Sequence, residues 1–172
     1  MRAIYYPSYF AVRLFLLLGF FAGAAGLSEL YATHIVGGEM TYRCLGNDQF
    51  ELRLTIYRDC FNGVPYFDDP ARVAIYNGDG QLVDSLFMPF LMIDDTLDPS
   101  LEDTCLSVPP DVCVHTTFYV DTIELPPIPG GYFIAYQRCC RNYSIANVPQ
   151  FTGATYGVEI SEEAILNCNS SP

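Results

Sequence analysis

The sequence predicts an all-β fold: an antiparallel β-sandwich, Ig-like in the broad sense and stapled by disulfides. Three observations lead there. Phe50, Leu52, Leu54 and Ile56 alternate with Glu51, Arg53, Thr55 and Tyr57, the period-2 pattern of a strand with one buried face. Turn-forming dipeptides punctuate runs of this kind, and a helical repeat is hard to find. Seven cysteines follow a basic and then apolar N-terminus, which is the usage of an exported domain held by oxidised sulfur.

The elements follow in order. Residues 34–44 (HIVGGEMTYRC) are β-prone, with a bend or bulge expected at Gly37-Gly38. Asn47-Asp48 turns this run into residues 50–57, so the two should form a hairpin. Residues 71–76 and 81–87 flank Asn77-Gly78-Asp79-Gly80, whose Asn-Gly and Asp-Gly steps supply the positive φ angles of a tight hairpin. Residues 92–110 are acidic and proline-containing and read as a long surface loop. Strands are expected over 114–125 and 131–141, joined by Pro126-Pro127-Ile128-Pro129-Gly130, which no helix crosses. A last strand is expected over 152–160, and Ser161-Glu162-Glu163-Ala164 starts a short helical turn. About seven short strands with turns between them favour a sandwich, with a barrel as the alternative.

Residues 1–13 carry Arg2 and Arg13 and no acid, and residues 14–26 form an uncharged apolar run ending in Ala22, Gly23, Ala24, Ala25 and Gly26. These are the three parts of a secretory signal peptide. A spanning helix wants about 20 apolar residues, and Ser28 and Glu29 interrupt sooner. Residues 1–32 are therefore expected to be a signal peptide, 33–165 the sandwich, and 166–172 the start of a linker to further domains. The product is expected to be secreted or attached to the cell surface, with no membrane span after cleavage. The first cysteine, Cys44, comes too late for a lipoprotein.

The structural disulfides are expected among Cys44, Cys60, Cys105, Cys113, Cys139 and Cys140. Cys105 and Cys113, eight apart across a Pro-Pro loop, suit a local bridge. Neighbouring strand residues face opposite sides, so Cys139 and Cys140 should reach different partners, drawn from Cys44 and Cys60. Cys168, four residues from the last residue given, would pair beyond Pro172 or stand as a free thiol.

Composition excludes some partners. The chain has 8 basic residues, all arginine, against 20 acids, for a net charge of −12. Sequence-independent nucleic-acid binding needs cations to replace phosphate counterions, and an anionic membrane surface repels such a chain. Catalytic chemistry finds little support. Ile35-Val36-Gly37-Gly38-Glu39 imitates the N-terminus of an activated trypsin-like protease, but the accompanying Ser and His motifs are missing. His34 and His115 are the whole imidazole supply, and neither has ligand spacing with cysteine or carboxylate. Asp94, Asp95, Asp98, Glu102 and Asp103 offer oxygens to calcium without matching an EF-hand loop. No cofactor is otherwise expected, and the chain reads as non-catalytic.

Three motifs in order carry a resemblance. Residues 32–46 (ATHIVGGEMTYRCLG), 54–60 (LTIYRDC) and 136–142 (YQRCCRN) resemble the N-terminal region of large secreted, adhesin-like proteins of gliding Bacteroidota. Such a resemblance implies a cell-surface module followed by further β-sandwich domains and a gliding-motility-associated C-terminal segment read by type IX secretion. Exported proteins of that phylum resemble substrates of O-glycosylation at Asp-Ser/Thr-aliphatic triplets, which makes Ser85, Thr96 and Thr122 candidate sites. Two functions are then expected. One is a non-catalytic recognition module whose partners are its own downstream domains and an extracellular glycan or protein surface. The other is a carbohydrate-binding module of a secreted glycan-active protein. Rigid amphipathic tyrosines would make the contacts, with Tyr66, Tyr76, Tyr132 and Tyr143 as candidates.

Overall fold

The computed structural model describes residues 35–61, 66–91, 94–98, 111–142, 145–149 and 152–172. The expected signal peptide, His34, Cys105, Glu102, Asp103 and Tyr143 lie outside the described residues. Eight strands and one short helix form: β1 (Ile35–Gly46), β2 (Gln49–Asp59), β3 (Ala71–Asn77), β4 (Leu82–Met88), β5 (Asp94–Thr96), β6 (Val114–Glu124), β7 (Tyr132–Arg138), β8 (Ala154–Ile160) and α1 (Glu162–Leu166). They build two four-stranded antiparallel sheets, ordered β1-β2-β6-β5 and β4-β3-β7-β8. The sheets pack face to face as a sandwich, and the chain crosses between them after β2, β4 and β6.

Alternation in β2 sets the core. Phe50, Leu52, Leu54 and Ile56 are 0–1% exposed, while Arg53 between them is open to solvent. From the opposite sheet Val73, Ile75, Ile134 and Tyr136 face them in the same cluster. Burying each such side chain contributes about 1.5–3 kcal/mol, so the eight together dominate the fold.

Local chemistry explains the turns. Asn47 and Asp48 take φ of 52° and 59° and close β1 on β2 as a two-residue turn. In the β3–β4 turn, Asn77 Oδ1 accepts from the N–H groups of Asp79 and Gln81, and Gly80 adopts φ 76°. The register of β1 shifts between Ile35 and Gly37, the bulge anticipated from the glycine pair. A Cβ on Gly38 would stand 2.9 Å from both Ile56 Cδ1 and the Thr55 carbonyl, so glycine lets β1 approach β2. Ser161 caps α1 by accepting from Ala164 N–H at 3.1 Å.

Four expectations are corrected. The 92–110 loop contains β5, which has no strand-like composition and forms because Asp94, Asp95 and Thr96 pair with Thr117, Thr116 and His115. Cys113 bonds Cys60, not Cys105. Asp59 pairs with Val114 at the end of the β2–β6 ladder, so the next residues, Cys60 and Cys113, stand opposite each other, and Cys60 N–H reaches Cys113 O at 3.0 Å. Cys139 and Cys140 bond each other rather than two different partners. β7 ends at Arg138 and Cys140 has φ 77°, so strand alternation no longer separates the two side chains. Cys168 bonds Cys44 instead of a partner beyond Pro172.

The segment after α1 is no free linker. Ser171 N–H donates to Tyr42 O at 2.9 Å, Tyr42 N–H donates to Ser171 Oγ at 2.9 Å, and Cys44 N–H donates to Ser170 Oγ at 3.1 Å. These bonds lay the tail along the outer edge of β1. Further down the same strand, Asn142 N–H donates to Ile35 O at 3.1 Å. Among the described residues the three bridges use six of the seven cysteines, all but Cys105. Bridges at this density belong to an oxidising, extracytoplasmic compartment. No helix among the described residues is long and apolar enough to cross a membrane.

Candidate functional site

One end of the sandwich is charged and closed. Arg58 and Asp59, at the end of β2, are only 7% and 8% exposed, so their charges require partners. Arg58 lies over the Tyr66 ring, 4.8 Å from its centroid, with Nη1 3.3 Å from His115 Nδ1. Asp59 accepts from Asn142 Nδ2 and from Phe61 N–H, both at 2.8 Å. Tyr66 donates its hydroxyl to Asp94, whose carboxylate also lies 3.8 Å from His115 Nδ1.

A second knot surrounds Asp68. Arg138 Nη1 stands 2.8 Å from Asp68 Oδ1, close in distance though off the N–H direction. Tyr136 donates to Asp68 Oδ2 at 2.5 Å, and Tyr119 donates to the Asp68 carbonyl at 2.7 Å. Burial is the main force raising both tyrosine hydroxyls well above their ordinary value of 10.0, and the bond to Asp68 raises Tyr136 further. The sign follows from linkage: above pH 10 the unfolded chain releases these protons while the folded chain keeps them. Unfolding stability should therefore fall as pH rises beyond 10, by about 1.4 kcal/mol per pH unit for each tyrosine. Denaturant titrations between pH 9 and 12 measure this, and Tyr119→Phe and Tyr136→Phe should each flatten the slope.

This end holds the fold rather than presenting reactive groups. His115 has its Nδ1 facing Arg58 and Asp94. Ligand atoms of Cys60, Cys113 and His115 lie within 4.8 Å of one another, but the two sulfurs are bonded together and offer no thiolate to a metal. In the expected calcium cluster, Asp94 serves Tyr66, and Asp95 accepts from Thr96 N–H at 2.8 Å.

The outer face of the β4-β3-β7-β8 sheet differs in character. Strand register places Leu82, Tyr76, Phe133 and Glu159 in one row across it. The next row is small: Ser85, Ala74, Ala135 and Gly157. Beyond it Arg72 pairs with Phe87, and Gln137 with Thr155. These residues point away from the core because their strand neighbours Val73, Ile75 and Ile134 point into it. Leu82 is 62% exposed, Phe87 52% and Phe133 42%, so the face carries three large apolar side chains open to solvent.

Side chains on this face pack against one another. A Cβ on Gly157 would meet Phe133 Cζ at 2.8 Å, so the Phe133 ring leans across Gly157. Ala135 is consequently 2% exposed despite its outward position. The rings of Tyr76 and Phe133 lie 6.4 Å apart at 31°, and the Arg72 guanidinium sits 5.5 Å from the Phe87 centroid. Gln137 Nε2 donates to Thr155 Oγ1 at 3.2 Å. Gln137 separates two depressions, about 240 Å³ beside Asp68, Pro70, Arg72 and Tyr136 and about 400 Å³ beside Arg138, Cys139, Gly153 and Thr155.

Of the tyrosine candidates, Tyr76 lies on this face. Tyr132 is buried and donates to the Pro126 carbonyl at 2.9 Å, and Tyr66 packs into the charged end. Sequence reasoning missed Leu82, Phe87 and Arg72, whose signal lay in the register of the β3–β4 hairpin, and Phe133, which only the β3–β7 pairing sets beside Tyr76. Ser85, Thr96 and Thr122 are all solvent-exposed on strands. Comparison with protein-family models, with curated proteins and with solved structures finds no match for the chain.

Proposed function

We propose that the chain is a non-catalytic, extracytoplasmic recognition module, the N-terminal part of an adhesin-like or gliding-motility-associated surface protein. The observation that carries this reading is the outer face of the β4-β3-β7-β8 sheet, where Leu82, Tyr76 and Phe133 form an apolar row and Phe87 adds an exposed ring beside Arg72. The three disulfides support an extracellular setting. The resemblance of the three motifs supports the surface-protein context, and with it sorting through type IX secretion and attachment to downstream domains. The partner is an extracellular glycan or protein. A carbohydrate-binding role is the second reading, favoured by the neighbouring Tyr76 and Phe133 rings, tilted 31° to each other, which offer a sugar aromatic surface to stack on.

Glycan arrays and cell-attachment assays test both readings against Leu82→Ser and Phe133→Ser variants. Leu82→Ser should change stability by under about 1 kcal/mol, and Phe133→Ser by more because its ring covers Gly157 and Ala135, while binding of each falls at least tenfold, or about 1.4 kcal/mol. Attachment that survives both substitutions would refute this assignment of the face. Glycan binding lost on Tyr76→Ala would favour the carbohydrate reading.

A further inference from the structure

The three Asp-Ser/Thr steps share a geometry that their sequences do not reveal. Ser85 N–H donates to Asp84 Oδ1 at 2.7 Å, Thr96 N–H to Asp95 Oδ1 at 2.8 Å, and Thr122 N–H to Asp121 Oδ1 at 2.7 Å. In each, a carboxylate bonds the backbone N–H of the following residue.

Strand geometry says where those N–H groups point. Along an antiparallel strand, successive N–H groups alternate between its two sides. Leu97 N–H reaches β6 at Val114 O, 2.8 Å away, so the N–H of Thr96 points away from β6. Leu125 N–H reaches the turn before β2 at Asp48 O, also 2.8 Å away, so the N–H of Thr122, three residues earlier, points away from β2. On that side, among the described residues, β5 pairs with β6 from His115 to Thr117 and stops short of Thr122. β4 is an edge strand with β3 as its one neighbour, and Ser85 N–H is spent on Asp84. Among the described residues, all three caps therefore sit on unpaired stretches of strand, at the β4 edge of one sheet and the β5–β6 edge of the other.

Unpaired edges invite further strands, and proteins usually blunt them with lysine, proline or a covering segment. This chain contains no lysine, and residues 82–88 (LVDSLFM) contain no proline and several strongly β-prone apolar residues. On the opposite side of the sandwich the β1 edge is covered by Ser170 and Ser171. At the three capped positions no such covering segment is found among the described residues.

We propose that Asp84, Asp95 and Asp121 are edge guards: each carboxylate occupies the outward N–H that a strand of a second copy of this chain would use. A docking strand would have to displace the capping oxygen and leave it without a donor beside the new ladder. The apolar outer face next to β4 thereby stays available for a partner without the module pairing with itself. This assignment is independent of what that face binds.

The test compares the exported, oxidised full chain with two triple variants, Asp84→Ala/Asp95→Ala/Asp121→Ala and the matching Asp→Asn set. Asparagine keeps the capping oxygen and removes the charge. Light scattering should show the alanine variant gaining at least about twofold in mass with rising concentration, while the asparagine variant stays at the wild-type mass. In dilute solution the amides of Ser85, Thr96 and Thr122 should exchange faster in the alanine variant alone. An alanine variant with its three bridges intact that remains unassociated overturns the proposal. So does an asparagine variant that associates equally, since charge repulsion would then be the cause. If the triple alanine variant does not fold, Asp84→Ala by itself decides on the same measurements.

Discussion

Replacing Cys44 and Cys168 together by serine is expected to lower the unfolding free energy by about 4 kcal/mol. The bridge joins residues 124 apart, so its loss releases nearly the whole domain from a loop constraint in the unfolded chain, where the entropy of closure grows with loop length. Structure is lost as well, because the bridge anchors the tail whose Ser170 and Ser171 bond the edge of β1. Serine at Cys139 and Cys140 provides the internal contrast. That bridge joins adjacent residues and encloses no loop, so the chain-entropy contribution is close to nothing. Urea unfolding of both variants checks the comparison. Equal losses would mean that loop closure is not what the Cys44–Cys168 bridge supplies.

Asp68→Ala is expected to cost about 3 kcal/mol. The side chain of Arg138 is 12% exposed, and the substitution leaves its guanidinium without the carboxylate that neutralises it. The buried hydroxyl of Tyr136 loses its acceptor at the same time. Asp68 itself is about one-third exposed, which lets water relieve part of the penalty and keeps the figure below that of a fully buried pair. Combining Asp68→Ala with Arg138→Met should recover a measurable share of the loss, because the stranded charge is then gone. Strictly additive losses in that cycle would show that the two side chains do not depend on each other.

The strands were legible where local chemistry decides. Alternation in β2, the positive-φ turns at Asn47-Asp48 and at Asn77 to Gly80, and the serine cap of α1 each depend on residues within a few positions. β5 was not legible, because Asp94-Asp95-Thr96 has no intrinsic preference for a strand and owes its form to β6 alongside. The disulfides divide the same way. Export and oxidation could be inferred from cysteine number and the N-terminal segment, whereas the Cys60–Cys113 pairing needed the ladder between β2 and β6. Cys139 and Cys140 misled because the alternation rule was extended past Arg138, where β7 already ends.

The candidate surface follows the same logic. Tyr76 was visible as an amphipathic residue in a strand, but Leu82, Phe87 and Phe133 became one face only when β4, β3 and β7 were set in register. By itself the sequence determined the all-β class, the hairpin turns, the inward side of the central strand and the commitment to oxidised sulfur, since each rests on periodicity, turn chemistry or composition. Tertiary structure alone decided which strands neighbour each other, which cysteines meet and which side chains share the exposed sheet. Those depend on contacts between residues far apart in the chain, such as Cys44 with Cys168 or Asp68 with Arg138, which no local preference encodes.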